Sequence, residues 1–223
     1  VRSPQDSHEE PFAIAQAVTI NLPQAFYRSE GGSDFYGELE VSLDLAVRAQ
    51  LVKRNLVRRP GSEWFEYAIG VAGLDEAVRL LCGSDMSADE NALRLGIRIL
   101  SFLYFRVKEE SDKHGLRMAI HDIEDGGATE RFLRIDRQMF QRARGLESQI
   151  ASMGAYTPGV HLRTFGRMKL DEAVASESRF HTLMTQGTAR IFPALRGTLT
   201  PAELYQGLRH AGLDSLASQV AIP

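Results

Sequence analysis

Six histidines (His8, His114, His121, His161, His181 and His210) and one cysteine, Cys82, are the residues of this chain best suited to proton transfer, metal ligation or nucleophilic attack. No two histidines fall in an HxH or HExxH pattern, so no metal site is expected. A single cysteine excludes an internal disulfide and any multi-cysteine cluster built by this chain alone. Cys82 precedes Gly83 at the end of a helical pattern, where the partial negative charge of the helix terminus disfavours a thiolate. With Leu80 and Leu81 it reads as packing, not as a nucleophile. GxSxG, P-loop and GxGxxG signatures are missing from the sequence. Motif chemistry therefore assigns no catalytic residue.

Polar residues at the ends of apolar runs carry more information. Ile120-His121-Asp122 places polar groups at the carboxyl end of a strand, where sites of α/β proteins lie. The alternative, that His121 sits in a surface loop, stays open. His161, in Val160-His161-Leu162, either points into a barrel or is satisfied by a neighbour. In the loop from Asp122 to Thr129, Glu124 and Asp125 precede Gly126-Gly127, a pair that lets backbone approach a ligand closely; a plain flexible turn is the other reading. Thr185-Gln186-Gly187-Thr188 could offer backbone N–H groups to an anion, or could simply end a helix.

The elements that must position these groups alternate. AVTINL, Ala17 to Leu22, reads as a strand closed by Pro23. A turn at Gly31-Gly32-Ser33 leads to a helix from Asp34 to Arg58, with Leu39, Leu43, Val47 and Leu51 on its buried face. A strand over Tyr67–Val71, a turn at Gly73 and a helix from Leu74 to Gly83 follow. Ser87 with Glu90 forms a capping box for a long helix ending near His114-Gly115. Next come strand Leu116–Ile120, helix Arg131–Arg142, strand Tyr156–Phe165, helix Asp171–Met184, strand Ala189–Phe192, helix Pro201–Ala211 and a short strand at Val220. Repeated strand-to-helix passages imply mainly parallel pairing.

Composition is that of an ordinary globular protein: 223 residues, 43% hydrophobic and 25% charged. A formal net charge of -3 gives no general attraction to nucleic acid or anionic membrane. No apolar run approaches the roughly 20 residues needed to span a bilayer. The polar start VRSPQDSHEE is no signal peptide, so a reducing cytoplasm is expected. Both ends read as cut from something longer.

As an ordered series, the segments resemble the catalytic barrel of the class III, oxygen-sensitive ribonucleotide reductases, which are glycyl radical enzymes. VTINLP (Val18 to Pro23) is similar to that family's vT-NLPR strand, with Gln24 in place of Arg. YAIGVAGLDEAVRLLCG matches its Y-iG--GlnEalk-LtG pattern. GLRMAI (Gly115 to Ile120), RFLRID (Arg131 to Asp136), YTPGVHL (Tyr156 to Leu162) and LMTQGTARIFPAL (Leu183 to Leu195) follow in the family's order. Pro158 and Gly159 stand where the family has Asn-Ser, and Gln186 where it has Gly.

The resemblance implies an α/β fold, part of a ten-stranded barrel made of two five-stranded halves. Residues 1–223 would be a single α/β domain, the C-terminal half of that barrel. It implies a substrate cleft lined by Asn21, Glu124, His161 and Thr188, with Asn21 orienting a hydroxyl or the radical loop and Glu124 accepting a hydroxyl hydrogen bond. The radical-bearing cysteine would fall at or next to Val1, where the family has Cys-Arg-Ser and this chain Val1-Arg2-Ser3. Glycyl radical and zinc would belong to a segment following Pro223, so no cofactor is expected in this chain, and alone it is expected to be inactive. Implied partners are a ribonucleotide, a radical-generating activase and a second copy of the chain. Another glycyl radical enzyme with a different small substrate, or a non-catalytic half-barrel, are the alternatives.

Overall fold

A computed structural model describes residues 13–56, 65–123, 127–140, 154–162 and 170–184. Its elements, in chain order, are β1 (Ala13–Asn21), α1 (Leu22–Arg28), α2 (Phe35–Leu56), β2 (Phe65–Ala72), α3 (Leu74–Cys82), α4 (Glu90–His114), β3 (Met118–Ile120), α5 (Ala128–Met139) and α6 (Leu170–His181). Among the described residues the sheet has three strands in the order β1-β2-β3, both pairings parallel. Asn21 pairs with Ala72 and Ile69 with Ile120. The carboxyl ends of all three strands therefore open at one edge.

β2 is buried from Glu66 to its end, as a parallel strand covered on both faces should be. The helices that cover the sheet fold as their periodicity dictates. Leu39, Leu43, Ala46 and Val47 of α2 and Leu93, Ile99, Leu100, Leu103 and Val107 of α4 join β2 in one apolar core. Gln50, fully buried on α2, is half satisfied: its Nε2 donates to the Ala68 carbonyl at 2.9 Å, while its Oε1 has no hydrogen-bond partner among the described residues. An unpaired amide there would cost about 1–3 kcal/mol.

The helices and parallel strands expected from the sequence are present, with four local differences. Pro23 does close a strand, but it also starts α1: it occupies the first turn, where its missing N–H costs nothing, and Asn21 caps the helix. The long helix begins at Glu90, with Asp89 and not Ser87 at its N-cap. Residues 86–88 are wound into a turn closed on the Asp85 carbonyl, and Asp89 caps α4 by accepting from the Asn91 N–H at 2.8 Å. Cys82 is exposed rather than packed. YTPGVHL is not a strand in its described part: it makes one antiparallel bridge, Ala72 to Pro158, and then turns at Gly159, whose φ is +55°. The segments expected at Ala189–Phe192, Pro201–Ala211 and Val220 lie outside the described residues.

Gly73 fixes how β2 turns into α3. Its φ of +76° is left-handed, and a Cβ there would lie 2.5 Å from Pro23 Cδ. Gly73→Ala is therefore expected to cost about 2–4 kcal/mol of unfolding free energy, strain and overpacking adding together, as measured by urea denaturation.

Candidate functional site

The carboxyl edge of the sheet is closed over by residues 154–162, the crossing segment. Their backbone is stitched to the end of β2: the Gly73 N–H donates to the Thr157 carbonyl at 2.7 Å, and the Gly159 N–H to the Val71 carbonyl at 3.0 Å. Glu76, buried in the first turn of α3, reinforces this by accepting from the Thr157 N–H at 3.0 Å and the Thr157 hydroxyl at 2.6 Å. A carboxylate in the first turn of a helix also meets the positive end of its dipole.

Two acid-centred clusters organise this edge, and a third lies farther down the sheet. The first surrounds Asp136 of α5, which is fully buried. Its Oδ2 accepts from Asn21 Nδ2 at 2.8 Å and from the Tyr156 hydroxyl at 2.9 Å, and its Oδ1 from Gln24 Nε2 at 3.0 Å. Burial drives the Asp136 carboxyl above its ordinary pKa against the pull of these three donors. Burial likewise raises the neighbouring phenols, Tyr27 to about 12 and Tyr156 further, with the Asp136 charge adding to both. Asn21 meanwhile caps α1, its Oδ1 accepting from the Gln24 N–H at 3.4 Å.

The second cluster holds His161. Its Nε2 lies 3.1 Å from Asp122 Oδ2, at the end of β3, and its Nδ1 lies 3.1 Å from Glu177 Oε2 of α6. Burial alone would lower the imidazole pKa, but hydrogen bonds and charge from the two carboxylates override it and raise the value to about 9. His161 is thus an imidazolium at neutral pH, donating from both ring nitrogens. Glu177 uses its other oxygen to accept from the Leu162 N–H at 2.9 Å. Nearby His181 is shifted down by burial, with the His161 charge also opposing its protonation. Gly159 is required beside this cluster, because a Cβ would fall 2.1 Å from Asp122 Oδ1.

The third cluster settles His121, which is buried and not a surface-loop residue. Its Nε2 meets Glu66 Oε1, and Arg117 Nε donates to the other oxygen of Glu66 at 2.9 Å. The imidazole faces along the sheet to the start of β2, away from the open edge.

Of the four residues expected to line a cleft, Asn21 and His161 stand at the carboxyl edge, in separate clusters. Glu124 and Thr188 lie outside the described residues. Asp136, Tyr156, Gln24, Asp122 and Glu177 carry the geometry without having been singled out as site residues. The available signal for Asp136 was its position three residues after Leu133, on the apolar stripe of α5. Among the described residues no group of three or more His, Cys, Asp or Glu is placed to hold a metal ion, and no helix is long and apolar enough to cross a membrane.

A family model described as anaerobic ribonucleoside-triphosphate reductase matches residues 10–192. The chain belongs to that family. Solved reductases share the fold. The anaerobic ribonucleotide reductase of Thermotoga maritima, determined with citrate in its active site, superposes with a TM-score of 0.66 at 13% identity, over 92% of this chain and 37% of that one. A second anaerobic ribonucleotide reductase gives 0.65 at 12% identity, over 94% of this chain and 34% of that one. The chain thus spans about a third of the length of these reductases. No curated protein matches it.

The His161 cluster makes stability depend on pH. A folded-state pKa raised from 6.5 to about 9 gives stabilisation that is complete below pH 6.5 and lost as pH rises through 9. Unfolding free energy should fall by on the order of 2–3 kcal/mol across that window. In His161→Gln that part of the slope should vanish, as read from denaturant midpoints at a series of pH values.

Proposed function

We propose that this chain is the half of a reductase barrel that carries the substrate loops, a single α/β domain of the ten-stranded, two-half barrel that its family resemblance implies. The full-length polypeptide would reduce ribonucleotides to deoxyribonucleotides by radical chemistry, paired with an activase and with a second copy of itself. The observation that carries this reading is the convergence of Asn21, Gly73, Asp122 and residues 154–162 at one carboxyl edge, in a chain whose family match spans residues 10–192.

Asn21 is the residue we assign to the substrate. An amide side chain has two donor hydrogens and two acceptor lone pairs. One hydrogen goes to Asp136 and one lone pair to the Gln24 N–H, which leaves one of each for a ribose hydroxyl while the amide plane is held fixed. His161 has both nitrogens engaged. It serves the cleft by fixing Asp122 at the end of β3, not by touching a ligand. Glu124 and Thr188 complete the proposed lining.

The described residues do not fit the radical and zinc chemistry of the family. Cys82 ends α3, nine residues from the edge where α3 begins, about 13 Å of helix away, and the described residues offer no metal cluster. As the family resemblance implies, the glycyl radical and zinc are assigned to a segment following Pro223, and no radical step is given to the residues described above.

The test is anaerobic turnover of a ribonucleoside triphosphate by the full-length polypeptide, supplied with its activase and a reductant. Asn21→Ala should lower kcat about 10²-fold, the penalty for losing orientation at the reacting centre, while circular dichroism is unchanged. Turnover that is indifferent to Asn21→Ala would remove Asn21 from the cleft. Absence of any deoxyribonucleotide product from the wild-type polypeptide would overturn the reductase reading.

A further inference from the structure

Asp136 differs from the other buried acids of the edge in what it holds. Glu76 accepts from the backbone and hydroxyl of Thr157, and Glu177 meets the Leu162 N–H and the His161 ring. Both tie down groups of the crossing segment. Asp136 is fully buried, yet one of its partners is Asn21, a half-buried side chain at the last position of β1, on the open edge. The contact decides which way round the Asn21 amide stands. Its Nδ2 donates to Asp136 Oδ2 at 2.8 Å, while its Oδ1 accepts from the Gln24 N–H at 3.4 Å. Turned over, the amide would set its oxygen against a carboxylate and its NH₂ against an N–H, and both bonds would be lost.

We propose that Asp136 is a positioning residue for turnover: as a carboxylate it fixes the order in which Asn21 presents its remaining hydrogen and lone pair to the substrate, and its protonation releases that order. The inference rests on the assignment of Asn21 to the substrate made above. Its basis is the set of groups around the acid. The Asn21 amide, the Tyr156 hydroxyl and the Gln24 amide all donate to the two Asp136 oxygens. An ionised carboxylate is acceptor-only and suits three donors, whereas the protonated acid brings a hydrogen of its own. One of the three would then have to turn round and accept. A purely structural anchor explains why the donors are buried, but not why the carboxylate grips the one side chain that also faces the edge.

The charged and titratable groups that act on Asp136 are Tyr27 and Arg28 of α1 and Tyr156 of the crossing segment. Burial raises both phenols, which are neutral at physiological pH, and the Arg28 guanidinium favours the carboxylate. Burial of the acid outweighs Arg28 and the three donors together, so the carboxyl titrates above its ordinary value. Activity that needs the carboxylate is therefore complete above that raised pKa and lost as pH falls through it.

The test is kcat and KM for a ribonucleoside triphosphate across pH, measured anaerobically on the full-length polypeptide with its activase and a reductant. Wild-type kcat should fall on the acid side while KM changes little. Asp136→Asn keeps an oxygen for Asn21 and Tyr156 and cannot titrate; its kcat should stay within about tenfold of wild type, the worth of one hydrogen bond to a charged group, and should lose that acid limb. Asp136→Leu offers no acceptor and should lower kcat about 10²-fold, as Asn21→Ala does. Combining Asp136→Leu with Asn21→Ala should cost no more than either alone, because the two act as a unit. Val107→Ala, in the core of α4, gauges what lost stability alone does and should leave kcat unchanged. Where Asp136→Leu does not fold, the pH profile of Asp136→Asn decides. An acid limb that persists in Asp136→Asn, a folded Asp136→Leu with wild-type kcat, or losses confined to KM would overturn the proposal and leave the reductase reading standing. A wild-type polypeptide without turnover would remove both.

Discussion

One buried carboxylate, that of Asp136, holds together the parts of the chain that make the edge. It sits on α5 with no solvent exposure and accepts from the end of β1, from α1 and from the crossing segment at 2.8–3.0 Å. Removing a carboxylate from water is expensive, and the penalty is offset only when each oxygen finds donors. The three donors come from positions 112, 115 and 20 residues away in sequence. The cluster can therefore form only when β1, α1, α5 and residues 154–162 are all in place. Partial assembly leaves either an unpaired buried acid or orphaned amides, which makes the arrangement close to all-or-none.

The same logic recurs along the edge with different chemistry. Glu76 binds the backbone and hydroxyl of Thr157 to α3, and the imidazolium of His161 bridges β3 and α6 through two acids. Each cluster couples a helix to the crossing segment, and each is electrostatically satisfied inside the fold. The result is a rigid rim at the carboxyl ends of parallel strands, where open α/β sheets bind their ligands. Rigidity there serves any chemistry that depends on fixed orientation. Asn21 belongs both to this scaffold and to the proposed cleft.

Much of the frame was legible in the sequence. The four-residue leucine spacing of α2, the glycines flanking α3 and the β-branched run of β1 announced an alternating fold with parallel pairing. The ordered segments pointed to the reductase family that the comparisons show. What periodicity missed were local contests. Pro23 ends one element and begins another, and Asp89, not Ser87, caps α4 after a turn closed on the Asp85 carbonyl. YTPGVHL has the composition of a strand but the backbone of a bridge and a turn, with Gly159 in the left-handed conformation that glycine adopts readily. The buried acids were the least visible. Asp136, Glu76 and Glu177 look like solvated helix residues until their partners, distant in sequence, are brought beside them.

The most direct test is a double-mutant cycle on the Asp136 cluster, with unfolding free energies measured for Asn21→Ala, Tyr156→Phe and the pair. Both side chains donate to the same oxygen of Asp136, so losing one changes what the other is worth. If Asp136 is the shared anchor, the two effects should depart from additivity by about 1 kcal/mol or more. Effects that add to within about 0.3–0.5 kcal/mol would contradict it, showing that the strand end and the crossing segment are held independently.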